Sequence, residues 1–173
     1  AGQYSPMVNV DLQPYDLSRP EEWAAYVEIF RTYLREVCAG EDDLPQTLEA
    51  VGSEARRAQL LHVVHRPQNR FRVCRIMAEE QEVGFCDFIC YADEDGKCII
   101  GNFFVQPTQR NRGYGAQALD RMEQALRAEG GQYIDLSPEE KALTLYRRKG
   151  FMQTQDHMIE NGEIVWRKRL AGE

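Results

Sequence analysis

The sequence predicts an α/β (α+β) chain, a mixed and mostly antiparallel sheet flanked by helices in the order β-α-α-β-β-β-α-β-α-β-β. Three observations predict it. Apolar residues recur at three-to-four spacing over residues 20–65 and again over 113–129, the mark of amphipathic helices. Between those stretches lie three β-branched and aromatic runs, FRVCRIMA (71–78), EVGFCDFICY (82–91) and KCIIGNFFV (97–105). Short turns at 79–81 and 93–96, the latter DEDG, join these runs, so the three strands pair antiparallel.

Each element has its own signal. VNVDLQPY (8–15) alternates loosely and reads as the first strand. Ser18-Arg19-Pro20-Glu21 marks a helix start, with Ser18 as cap and Pro20 in the first turn. That helix carries Trp23, Tyr26, Val27, Phe30, Tyr33, Leu34 and Val37 on one face and ends at Gly40. A less regular helical region spans 44–65, interrupted at Gly52. After the three strands, the helix over 113–129 aligns Ala118, Leu119, Met122, Ala125 and Leu126, and Gly130-Gly131 stops it. QYIDL (132–136) is a short strand. Ser137-Pro138-Glu139-Glu140 reads as a capping box whose helix runs to Lys149 before Gly150. FMQTQDHMI and EIVWRKRL close the chain as a hairpin around Glu160-Asn161-Gly162.

The 173 residues, 43% hydrophobic and free of repeats or linkers, read as one domain over 1–173. Residues 1–6, before Met7, read as a disordered or appended end. No apolar run approaches the roughly 20 residues a membrane helix needs, and AGQYSPMVNV lacks the regions of a secretory signal, so no membrane partner and a cytoplasmic location are expected. With 21 basic against 28 acidic residues, non-specific nucleic-acid binding is excluded and a cationic substrate is mildly favoured. The five cysteines lack CxxC spacing and read as reduced thiols; His62 and His65 have no evident third ligand, so no metal is expected. A homodimer stays open.

Residues 103–116 carry the chemistry. A strand ends at Val105, a proline follows, and a Gly-rich turn opens a helix whose unpaired N–H groups and positive dipole end attract phosphate. Gly113 and Gly115 allow close backbone approach, and Arg110 and Arg112 add positive charge. Alone, R-x-x-G-x-G is weak, and a plain Gly-rich turn before a helix explains it equally. A dinucleotide fold does not fit, because hairpins precede the turn and Ala118 stands at the third glycine position. A Walker-type loop does not fit either, as no Gly-Lys-Ser/Thr follows.

Here the chain resembles the GCN5-related N-acetyltransferase (GNAT) superfamily. Its pyrophosphate motif, Arg/Gln-x-x-Gly-x-Gly/Ala, matches Arg110-Asn111-Arg112-Gly113-Tyr114-Gly115, and the wider pattern matches from Val105. A second block, A-x-x-L-Y-x-x-x-G-F, matches Ala142, Leu145, Tyr146, Gly150 and Phe151. The resemblance implies a GNAT-like fold in which the strand ending at Val105 bulges and splays from QYIDL. It implies that acetyl-CoA binds there, with pantetheine along Phe103, Phe104 and Val105. The main chain of Arg110, Asn111, Arg112, Gly113, Tyr114, Gly115 and Ala116 would hold the pyrophosphate. It also implies that Tyr146 is the general acid protonating the departing thiolate.

Two departures stand out. Glu139 occupies a place where many members carry Asn, and Ile99 stands where the protein-lysine branch places its catalytic Glu. From Cys98 to Val105 the only polar side chain is Asn102, so no base comes from that strand. Asp87, inside the preceding strand, is the first candidate base; its plainer reading is a solvent-facing residue or a partner of Arg75. The expected activity is direct acetyl transfer to a primary amine on a small, cationic molecule such as an aminoglycoside or polyamine, with protein amines second. The alternative is a non-catalytic acyl-CoA-binding or regulatory module.

Overall fold

The computed structural model describes residues 8–170; the expected N-terminal end over 1–6 lies outside them. The strands are β1 (Val10–Pro14), β2 (Arg72–Ala78), β3 (Gln81–Tyr91), β4 (Lys97–Val105), β5 (Tyr133–Leu136), β6 (Met152–His157) and β7 (Ile164–Arg169). The helices are α1 (Pro20–Val37), α2 (Leu44–Val51), α3 (Glu54–Val64), α4 (Tyr114–Ala128) and α5 (Leu143–Arg148). The strands form one sheet in the order β1-β2-β3-β4-β5-β7-β6. Every neighbouring pair is antiparallel except β4 and β5. Among the described residues no helix is long and apolar enough to cross a membrane.

A sheet with one strand-length of apolar side chains on each face must be covered on both. On one face, Ala118, Leu119, Met122 and Leu126 of α4 pack against Ile76, Cys86, Phe88, Ile100 and Ile134. On the other, α1 lays Trp23, Tyr26, Val27 and Phe30 over Val73, Phe85 and Phe104. Ring centroids lie 5.5 Å apart for Phe30 and Phe85 and 5.6 Å for Tyr33 and Phe85, within the range of favourable aromatic pairs. Each fully buried Phe or Leu contributes roughly 1.5–3 kcal/mol. Cys74 faces Cys86, and Cys90 faces Cys98, across neighbouring strands; all remain free thiols.

The helical region over 44–65 is interrupted at Gly52 as expected, and forms two helices where the element order counted one, because Gly52 ends α2 and the Ser53 hydroxyl accepts from the Arg56 N–H to start α3. Two local expectations are corrected. Ser18 does not cap α1: its own N–H and hydroxyl donate to the Asp16 carboxylate, and Arg19 takes the cap position in extended backbone. Ser137 forms no capping box, since its hydroxyl donates to Glu163 of the closing hairpin. The chain then makes a single tight turn over Glu140–Ala142 before a short α5. In both cases an acidic side chain outside the helix takes the hydroxyl that the local pattern assigned inward.

Candidate active site

The centre of the molecule is set by what β4 fails to pair with. Only Lys97, Cys98 and Ile99 pair with β5, opposite Tyr133, Ile134 and Asp135; beyond them β4 runs on without that partner. On its other side, β4 pairs Ile100 with Phe88 and Phe103 with Cys86, so Gly101 and Asn102 together oppose the single residue Asp87. This is a β-bulge, and it re-aims the side chains that follow it. Two cavities meet β4 on either side of the bulge.

The first cavity, about 410 Å³, is bordered by Phe103, Phe104 and Val105 of β4, the start of α4, and Leu145 and Tyr146 of α5. After Val105 the chain makes a tight turn at Pro107–Gln109, passes Asn111 at φ 65°, and reaches Gly113 at φ 82°, which begins α4. A left-handed residue at a helix start suits glycine, which has no Cβ to clash. Gln117 is the first residue to donate back, to Gly113 at 3.2 Å. The N–H groups of Tyr114, Gly115 and Ala116 therefore have no acceptor among the described residues, and all three residues border the cavity. Such a set at a positive dipole end fits a pyrophosphate.

Arg110 and Asn111 also border this cavity, whereas Arg112 is exposed and lies outside its lining. The Arg110 side chain is already engaged. Its Nε donates to the Val105 carbonyl at 2.9 Å and one terminal nitrogen to Glu36 at 2.8 Å, tying the turn to β4 and α1. Lys141 reaches the same carboxylate. The Arg110 hydrogen bond, with that of Lys141, holds the Glu36 carboxyl below its ordinary value. Tyr33, Glu36 and Lys141 are cavity residues that motif reading did not find; only the helical spacing of Tyr33 and Val37 hinted at that face.

Tyr146 is 6% exposed, packs edge-on against Phe151 at 5.4 Å, and lines the cavity. Burial pushes its phenol well above the usual range, so it carries its proton at neutral pH.

The second cavity, about 690 Å³, lies on the sheet face under α2 and α3. Its sheet wall is Asp87, Ile89, Ile99 and Gly101; α3 contributes Arg56, Leu60 and Val63, and Glu160 reaches in from the β6–β7 turn. Asp87 is 2% exposed and accepts from both the backbone N–H and the side-chain amide of Asn102, each at 2.8 Å. A Cβ at position 101 would stand 2.4 Å from Asp87 Oδ1, so glycine leaves the carboxylate its place. Burial pushes the Asp87 carboxyl up to about 6, against the opposing pull of the Asn102 hydrogen bonds and the Arg56 charge. Asp87 is thus neither solvent-facing nor paired to Arg75, which forms its ion pair with Glu22.

Residues 68–153 match a family model described as an acetyltransferase (GNAT) domain. The chain belongs to the GNAT superfamily. Solved structures agree in fold. A PaiA N-acetyltransferase from Thermoplasma acidophilum, in complex with coenzyme A, superposes with a TM-score of 0.71 at 12% identity, covering 93% of this chain and 99% of that one. An acetyltransferase from Thermus thermophilus gives 0.67 at 23% identity, covering 95% and 99%. Tetrahymena GCN5 gives 0.66 at 11%, covering 93% and 96%. No curated protein matches the chain by sequence. In this GNAT acyltransferase the matched segment runs from β2 to the first two residues of β6 and includes the whole Gly-rich turn; α2 and α3, the roof of the second cavity, lie outside it.

Proposed function

We propose that this chain moves an acetyl group from acetyl-CoA to a small primary amine, an ammonium cation at rest, by direct attack within a ternary complex. The observation that carries the reading is the bulge: β4 borders one cavity with Phe103, Phe104 and Val105 and the other with Ile99 and Gly101. Acetyl-CoA supplies a reactive acyl carbon and a thiolate leaving group.

In this reading the free N–H groups of Tyr114, Gly115 and Ala116 take the pyrophosphate, while the backbone edge of β4 beyond Ile99, unpaired with β5, aligns pantetheine. Asp87 accepts a proton from the acceptor ammonium, because a protonated amine has no lone pair for attack. A carboxyl near 6 is ionised at neutral pH yet basic enough for the task. Tyr146 donates its proton to the departing thiolate. The nitrogen loses a second proton as the tetrahedral adduct collapses; this one replaces, through water, the proton that Tyr146 gave to the thiolate, while Asp87 passes its proton to solvent, so both groups are restored and each turnover releases one proton. The route calls on no metal.

The test has two parts. Calorimetry with acetyl-CoA, ATP and NAD should show binding of the first alone. Thiol release from acetyl-CoA with a panel of primary amines should exceed background. Binding without release would make the chain an acyl-CoA-binding module and overturn the transferase reading.

A further inference from the structure

The second cavity holds a charge arrangement that the reaction as described does not use. Arg56 projects from α3 into it, with one terminal nitrogen donating to the Val51 carbonyl at 2.9 Å and the other to the Tyr26 hydroxyl at 2.5 Å. Its guanidinium is stacked over the Phe30 ring, 4.6 Å from the centroid. It is thus locked in position, and a guanidinium so held spends little further entropy on binding a ligand. Of its five N–H donors, two are used; three have no partner among the described residues. No described carboxylate forms an ion pair with it. Asp87 is close enough to feel its charge yet not in ion-pair contact.

A carboxylate acceptor and a guanidinium donor therefore face one cavity with a gap between them. Leu60 and Val63 of α3, Phe71, and Ile89 and Ile99 of the sheet give the wall an apolar stretch, with Ser53, Gln59 and Tyr91 as its uncharged polar members. Two of the charged residues bordering the cavity are acidic, Asp87 and Glu160, and two are basic, Arg56 and Arg66. The acidic surplus of the whole chain does not extend into it. With Asp87 taken by its first ammonium, a polyamine would have only the exposed Glu160 to set its second against two guanidinium groups.

Resting on the proposed transferase reading, we infer that the acceptor is an amino-acid-like zwitterion. Its amine sits at Asp87, its adjacent carboxylate on Arg56, and an apolar side chain lies against Leu60, Val63 and Ile99. A carboxylate on a planar guanidinium is a strong, geometrically selective contact, and an acceptor lacking it leaves that cation unpaired in a half-buried site.

The experiment measures thiol release with L-leucine, L-phenylalanine, their decarboxylated counterparts isoamylamine and phenethylamine, L-leucinamide, and spermidine. The expected result is a kcat/KM for each amino acid at least about 10-fold above its decarboxylated partner and above the amide, as a charge-assisted contact of roughly 1.5–3 kcal/mol dictates. Arg56→Gln should bring that ratio close to one, and Arg56→Lys should restore part of it. Because Arg56 also holds Val51 and Tyr26, a wild-type readout accompanies the variants: N-acetyl-L-leucine should inhibit competitively against acceptor, and N-acetyl-isoamylamine should not. Equal or better use of spermidine or the decarboxylated amines overturns this inference and leaves the transferase standing. No release above background with any amine overturns both.

Discussion

Replacing Asp87 by Asn keeps the shape of the side chain and removes its ionisation, so stability and activity should move in opposite directions. Burial raises the carboxyl from 3.8 to about 6 in the folded chain. That displacement is a preference for the neutral form of about 3 kcal/mol. The sign follows from linkage. With the folded value above the unfolded one, the stabilising contribution of the neutral acid is full below about 3.8 and is lost as pH rises through about 6. At pH 8 the buried charge opposes folding, and Asn relieves it. Asn has a single oxygen, so it still accepts from the Asn102 N–H but no longer from the Asn102 side-chain amide, which costs about 1 kcal/mol. The net is a variant about 2 kcal/mol more stable at pH 8, seen as a melting point higher by about 4–8 °C for a chain of this size. At pH 4 the gain disappears. Melting curves at both pH values check this. In parallel, thiol release by the wild type should rise with pH through about 6, whereas Asp87→Asn should fall about 10²–10⁴-fold and show no such inflection. A variant less stable than wild type at pH 8 would refute the burial argument, and one that keeps full turnover would refute the proton-acceptor role.

Tyr146→Phe should lower turnover about 10²-fold with the acetyl-CoA dissociation constant changed less than about two-fold, read from single-turnover kinetics and calorimetry. Gly101→Ala places a methyl 2.4 Å from Asp87 Oδ1 and should displace the carboxylate; turnover drops at least about 10-fold while far-UV circular dichroism stays native. Gly84→Ala meets the Phe104 carbonyl oxygen at 2.0 Å, a backbone atom that cannot step aside without shifting β4, so denaturant melts should show a loss of about 1–3 kcal/mol or more. Initial rates against both substrates should give intersecting reciprocal plots; parallel lines would point to a covalent acyl-enzyme and sink direct transfer.

Local chemistry made much of the fold legible. The strands β2, β3 and β4 and the helix α4 announce themselves by period and by flanking turns, and β4 begins and ends where its composition says. The Gly-rich turn was equally visible, because its function depends on backbone freedom within a few consecutive residues. What escaped was set by distant partners. Ser18 and Ser137 look like caps until Asp16 and Glu163 take their hydroxyls. Tyr33, Glu36 and Lys141 reach the first cavity from separate elements. The meeting of Asp87 with Asn102 depends on one extra residue in the β3–β4 ladder, a register that neither strand records by itself. The Ser53 cap is different: Ser-Glu-Ala-Arg after Gly52 is a local signal that splits the helical region, and it was there to be read.

The roof of the second cavity has a consequence for how such a chain can change. The Gly-rich turn and Tyr146 lie inside the segment that matches the family, whereas Arg56, Leu60 and Val63 lie on α3, ahead of it in the chain. If the proposed sites hold, an exchange of the stretch from α2 to α3 should change which amine is used and leave acetyl-CoA binding unchanged. The bulge at Gly101 and Asn102 is the hinge of that modularity. On the proposed reading it lets a single strand serve the acyl donor at its far end and the acceptor in its middle.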